Sequence, residues 1–141
     1  MADTDIQDKK IVIVISANLE KGQAANRAAV LATGLAAHVP HMIGVDVTTK
    51  DGKTLLGITQ IPIPILTTKP DTSLSVLVSK SQELGCMVIL FLSRVQGMTS
   101  YEEYILSIGQ TNYQDLDIDA IALYGDKKSI TKITGNLPSL R

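Results

Sequence analysis

The 141 residues contain no tryptophan, a single phenylalanine, four tyrosines and a single cysteine. With aromatics at only 4%, the core must be built from Ile, Leu, Val and Ala, and few rings are available on which bases could stack. The lone Cys86 excludes an intrachain disulfide. Charge of one sign is also lacking: thirteen basic residues face fourteen acidic ones, for a formal charge of -1, so no global positive field attracts nucleic acid. No apolar run approaches the roughly 20 residues that cross a bilayer, and the opening MADTDIQDKK lacks the basic-then-apolar order of a secretory leader. These absences point to a cytoplasmic protein that does not insert into membranes. No Gly-rich dinucleotide fingerprint and no P-loop occurs, since Gly22 stands alone, and no cofactor is expected.

What is present reads as one α/β domain. A chain of this length buries roughly 70% of its unfolded surface without help from metal or disulfide. Residues 1–8 are polar and without period, the pattern of a loose tail ahead of a domain over 9–141. Ile11 to Ile15 are five consecutive β-prone residues, which predicts a strand covered on both faces. An elbow, Ser16 to Gln23, leads to a helix from Ala24 to about Ala37. Ala24, Ala28, Leu31 and Leu35 form one stripe of that helix, and Ala25, Ala29, Ala32 and Ala36 a second. The second stripe needs cover, which predicts a homodimer. Residues 39–60 flank an Asp51-Gly52 turn and predict an irregular excursion or small hairpin, whose structure the sequence leaves open. Pro62 and Pro64 make Ile61 to Leu66 extended but confine it to a sheet edge. A helix opening at Pro70 to Ser73 and closing at Gly85, a second buried strand over Met87 to Leu92, a helix from Tyr101 to Ile108, a strand from Asp117 to Tyr124 and a last helix from Asp126 to Thr134 follow. The alternation predicts a three-layer αβα domain with a mixed, mostly parallel sheet of about four main strands.

Several side chains invite chemistry and have an ordinary structural reading beside it. Cys86, at the mouth of a strand and far in sequence from His38 and His41, reads as a buried, inert thiol. The two histidines are three apart but lack a third ligand of matching type, so no metal site is expected. Asp115, Asp117 and Asp119 alternate, and a strand would project all three on one face, either for a hard cation or as a solvated strand entrance. The elbow stands out, because ligands bind where a strand of an open α/β sheet hands over to a helix. Asn18, Lys21, Gly22, Gln23 and Asn26 are the candidate ligand-binding residues there.

The elbow and the final segment carry a resemblance. KIVIVISANLEKGQAANRAAVLATG and ALYGDKKSITKITGNLPSL resemble the two ends of the type II peptidyl-tRNA hydrolases. Closer overall is a family of small, mainly bacterial proteins known as a domain of unknown function and similar in fold to those hydrolases; it resembles this chain in Lys21 to Asn26, Tyr101 to Tyr104 and Leu137 to Arg141. The resemblance implies a peptidyl-tRNA hydrolase II-like fold. It does not carry over the hydrolytic set: the motif acid falls on Asn18, its methionine on Lys21, its first lysine on Gln23, its helix Gln and His on Val30 and Thr33, and the acid of the closing helix on Thr131. Two functions stay open. One is a soluble protein binding a small ligand or a partner at the elbow; the alternative is a divergent hydrolase of peptidyl-tRNA or another ester or amide, with Lys21, Asn26 or Thr99 as catalytic candidates. A tRNA substrate requires a basic face, for which Arg27, Lys127, Lys128, Lys132 and Arg141 are the candidates.

Overall fold

The computed structural model describes residues 6–141. The first five residues of the expected tail lie outside the described region; Ile6 packs against the core. The central sheet has four strands in the order β4-β1-β6-β5, where β1 is Lys9–Ile15, β4 is Ile65–Thr67, β5 is Met87–Leu92 and β6 is Ile118–Asp126. β1 pairs with β4 in parallel, whereas β6 runs antiparallel to both β1 and β5. The sheet is therefore mixed, with three strands pointing one way and β6 reversed between two of them.

The periodicity of β1 and β6 explains the layers. Ile11, Ile13 and Ile15 face one side with Ala120 and Ala122, while Val12 and Val14 face the other with Ile121 and Leu123. Helix α1 (Lys21–His38) lays Ala24, Ala28, Leu31 and Leu35 on the first side. Helices α2 (Leu74–Glu83) and α4 (Lys127–Thr134) cover the second with Leu74, Leu77, Val78, Ile130 and Ile133. The first stripe of α1 is thus buried as expected. The second is not sandwiched within the chain: Ala25, Ala29 and Ala36 are exposed.

Three departures from the sequence reading have local causes. Helix α1 starts three residues early because Glu20 and Gln23 form a capping box, with the Glu20 amide donating to Gln23 Oε1 at 3.0 Å. Strand β5 is an edge strand and only half-buried over its first four residues, because β6 occupies the place beside β1. Strand β4 is an edge as expected, but its outer side takes up the chain's last residues: Thr67 donates to the Pro138 carbonyl, and Leu140 to that of Ile65, both at 2.9 Å. Residues 42–60 form a protruding arm, in which β2 (Val47–Thr48) and β3 (Thr54–Leu55) pair around Gly52 and Ile43 bridges Thr59. Helix α3 (Tyr101–Gly109), capped by Ser100, buries no residue. Gly85, at φ 73°, ends α2 in the left-handed conformation that glycine tolerates best.

Candidate functional site

The elbow is held by its own main chain. Ser16 donates to the Asp119 carbonyl at 2.9 Å, Leu19 to that of Ser16 at 3.2 Å, and the Ala17 amide donates to Thr68 Oγ1 at 2.9 Å. Two clefts flank it. One, of about 450 Å³, runs toward the start of α2 and is lined by Ser16, Asn18, Thr68, Lys69 and Thr72. The other, of about 840 Å³, lies between the elbow and the C-terminal tail. Ser16, Leu19, Lys21 and Ala24 form one wall of the larger cleft, Thr67 joins them from β4, and Ser139, Leu140 and Arg141 form the opposite wall.

The candidate ligand residues are consequently divided. Lys21 faces the larger cleft and Asn18 the smaller one. Gln23 turns away: its amide nitrogen donates to Gln96 Oε1 at 3.4 Å, and its oxygen serves the Glu20 cap. Gly22 is exposed, with open space where a Cβ would sit. Asn26 accepts from Arg27 Nη1 at 3.2 Å. The capping box means that the helix N-terminus already has side-chain partners of its own, which weakens it as an anion receptor.

Behind the elbow is a group that the sequence reading assigned elsewhere. Arg27 is 4% exposed, so it belongs to no basic face. Its Nη2 donates to Gln96 Oε1 at 2.7 Å and to Asp119 Oδ2 at 3.1 Å, and its guanidinium lies 4.5 Å from the centre of the Phe91 ring. Its Nε is buried without a hydrogen-bond partner. The available signal was position: Arg27 lies three residues after Ala24 and four before Leu31, within the buried stripe.

A second pair fixes the loop after β5. Asp117 accepts from Ser93 Oγ at 2.9 Å, from the Arg94 amide at 2.7 Å and from Arg94 Nε at 2.6 Å, and Arg94 Nη1 also donates to Thr111 Oγ1 at 2.6 Å. Partial burial alone would raise the Asp117 pKa, but these hydrogen bonds together outweigh it and hold the carboxyl below its usual value. The expected row of three aspartates is therefore broken up: Asp115 sits in a 3-10 turn, and Asp117 and Asp119 are tied to arginines. No group of three or more His, Cys, Asp or Glu is placed to hold a metal among the described residues.

Residues 9–141 match the family described as "Protein of unknown function (DUF2000)". The chain belongs to that family. A solved structure similar to this DUF2000 chain is the protein of unknown function Atu0240 from Agrobacterium tumefaciens strain C58. It has a TM-score of 0.84 at 20% identity over 95% of this chain and 98% of that one. At that identity the likeness concerns the fold. No curated protein matches the chain.

The other predicted residues of this DUF2000 chain fall outside the elbow clefts. Thr99 lines a cleft of about 490 Å³ between α1 and α3, and its hydroxyl donates to Glu103 Oε1 at 2.8 Å. Lys21, Asn26 and Thr99 thus do not converge. Cys86 is buried, and burial first, with the nearby Asp126 charge, pushes its thiol pKa up against the opposing effect of Lys9. His38 Nδ1 lies 2.8 Å from the Gly34 carbonyl oxygen at the end of α1. No helix among the described residues is long and apolar enough to cross a membrane.

Proposed function

We propose that this protein binds a small anionic ligand with an apolar part in the cleft between the elbow and the C-terminal tail. The observation that carries this reading is the composition of the cleft: Lys21 and Arg141 supply two cations, Ser16, Thr67 and Ser139 supply hydroxyls, and Leu19, Ala24 and Leu140 supply apolar walls. Concave sites of this size, mostly apolar with a few convergent polar groups, are the usual form of small-molecule sites. The resemblance of both chain ends to the type II peptidyl-tRNA hydrolases supports the choice of end of the sheet. Of the five elbow residues expected to bind a ligand, Lys21 is the one that lines this cleft and would touch it; Asn18 lines the neighbouring cleft, and Gln23 and Asn26 are engaged elsewhere.

The hydrolytic alternative has less support. Asn26 is engaged with Arg27, Thr99 with Glu103, and among the described residues no base is hydrogen-bonded to a nucleophile beside Lys21. A tRNA substrate loses Arg27 from its basic face. A cytoplasmic location and a homodimer covering the exposed alanines of α1 belong to the same reading.

The test is a thermal-shift screen of small carboxylates and phosphate esters, followed by titration calorimetry of the best one. Lys21→Ala should weaken binding about tenfold, the loss of one charge-assisted hydrogen bond. Failure of every compound to stabilise the protein, or equal affinity of Lys21→Ala, refutes the cleft.

A further inference from the structure

The face that carries α1 has an apolar projection on one side and an apolar groove on the other. The projection is the arm over residues 42–60, whose base packs beside α1 through the buried Met42 and Ile61. Six of its aliphatic side chains are exposed, among them Val45 at 84% and Leu56 and Ile58 at 78% each. The groove lies across α1, over the open edge of β5. Val30 and Gly34 of α1, Ile89 and Phe91 of β5, and Tyr101 and Tyr104 of α3 line its first part. A second part continues along β5 to Tyr113 and Leu116.

Neither feature is finished within one chain. Helix α3 has nine residues and buries none of them, though isolated helices this short are marginal in water. Among the described residues strand β5 pairs only with β6, and no charge or proline guards its outer edge between Met87 and Leu92. Between the arm and the groove, Ala25, Ala29 and Ala36 leave the outer surface of α1 low and flat.

We infer that a second copy of this chain docks on this face, placing its arm in the groove beside α3 while its own groove receives the first copy's arm. This interface deepens the homodimer proposed above and rests on it. A two-fold axis parallel to the strands and lying in the plane of contact reverses left and right. It therefore sets each arm opposite the other copy's groove and brings the two alanine stripes together. Projection and cavity on one surface are what an isologous contact needs, since each residue pair then occurs twice. The area agrees. Six exposed apolar side chains in the arm, with Val30 and Tyr101 at the groove, at roughly 100 Å² each, make on the order of 800 Å² of apolar surface available per copy. A stable interface needs about 800 Å² per partner, and the largest apolar patch of a typical monomer is about 300–600 Å².

The experiment is sedimentation-velocity ultracentrifugation of the full chain at micromolar concentration. Wild type should sediment at twice the 15.1 kDa chain mass. Leu56→Glu with Ile58→Glu, both at the exposed arm, and Val30→Lys, at the groove wall, should each raise the dimer dissociation constant at least about 100-fold with an unchanged circular dichroism spectrum. Mixing the two variants restores one native arm-groove contact and sets Glu against Lys in the other, so the mixture should associate at least about tenfold more tightly than either variant alone. A monomeric wild type overturns the homodimer and this interface together. A dimer that survives both variants, or a mixture no tighter than its components, overturns the arm-in-groove contact and leaves the homodimer standing.

Discussion

Removing the Asp119 carboxylate leaves the Arg27 guanidinium charged, 4% exposed and without its one carboxylate partner among the described residues. At the observed 3.1 Å, two unit charges attract by about 5 kcal/mol for an effective dielectric constant near 20. That attraction is largely offset by the desolvation of both groups, so the pair itself contributes little net stability. The single substitution differs, because it keeps the desolvation of Arg27 and discards the attraction. Gln96 and the Phe91 ring remain as partners, which puts Asp119→Ala toward the lower end of the usual range for breaking a buried pair, about 3 kcal/mol. A domain of this size has about 5–15 kcal/mol in total, so the loss should appear as a drop in Tm of roughly 10 °C. Arg27→Met combined with Asp119→Leu should recover most of it, since the pair would be replaced by apolar volume. Urea unfolding of wild type, Arg27→Met, Asp119→Leu and the variant carrying both forms a thermodynamic cycle, with Asp119→Ala measured beside it. A loss below about 1 kcal/mol for Asp119→Ala, or a coupling energy below about 0.5 kcal/mol, refutes the account of a buried, interdependent pair.

Gly125→Ala should destabilise the protein by about 1–3 kcal/mol, because the new Cβ would lie 2.7 Å from Cys86 Sγ. Thermal unfolding should then show Cys86→Ala restoring part of the loss, and additive effects would contradict the clash. Asp117→Asn removes a carboxyl whose folded-state pKa is lowered, so the stability it contributes is present above the unfolded value near 3.9 and lost as pH falls through the lower folded value. Because its side chain is 34% exposed, the expected gap from wild type is only about 1 kcal/mol at pH 7. Chemical denaturation across pH should find the gap closing below about pH 4, and a gap that persists or widens in acid contradicts the assignment.

The main elements were legible because their periods are strong. The apolar run at Ile11 to Ile15 marked a central strand, and Ala24, Ala28, Leu31 and Leu35 marked the buried stripe of α1. Ser73 and Gly85 marked the two ends of α2 through their capping chemistry. Strand order was not legible. Nothing local to Met87 to Leu92 distinguishes an edge from a centre, since its six apolar residues fit either place; only the insertion of β6 decides. The clefts were half legible. The elbow announced itself, but its far wall comes from Ser139 to Arg141, more than 100 residues away in sequence, and no local pattern couples the two. Arg27 misled because its type suggests surface while its spacing suggests core, and the spacing prevailed once Asp119 supplied the opposite charge.

The place of β6 also sets the order in which the protein can be made. Lys9 meets Asp126 across 117 residues of chain, and every residue of β1 has its antiparallel partner in β6. During synthesis the most apolar segment leaves the ribosome early and waits, at about 5–20 residues per second, for several seconds before its neighbour exists. Throughout that interval Ile11 to Ile15 lacks its antiparallel partner, and until β4 is made it lacks any strand partner, which leaves it open to capture by other nascent chains. Yield in the cell should therefore depend on what shelters the first strand until the sixth arrives, more than on the stability of the finished fold.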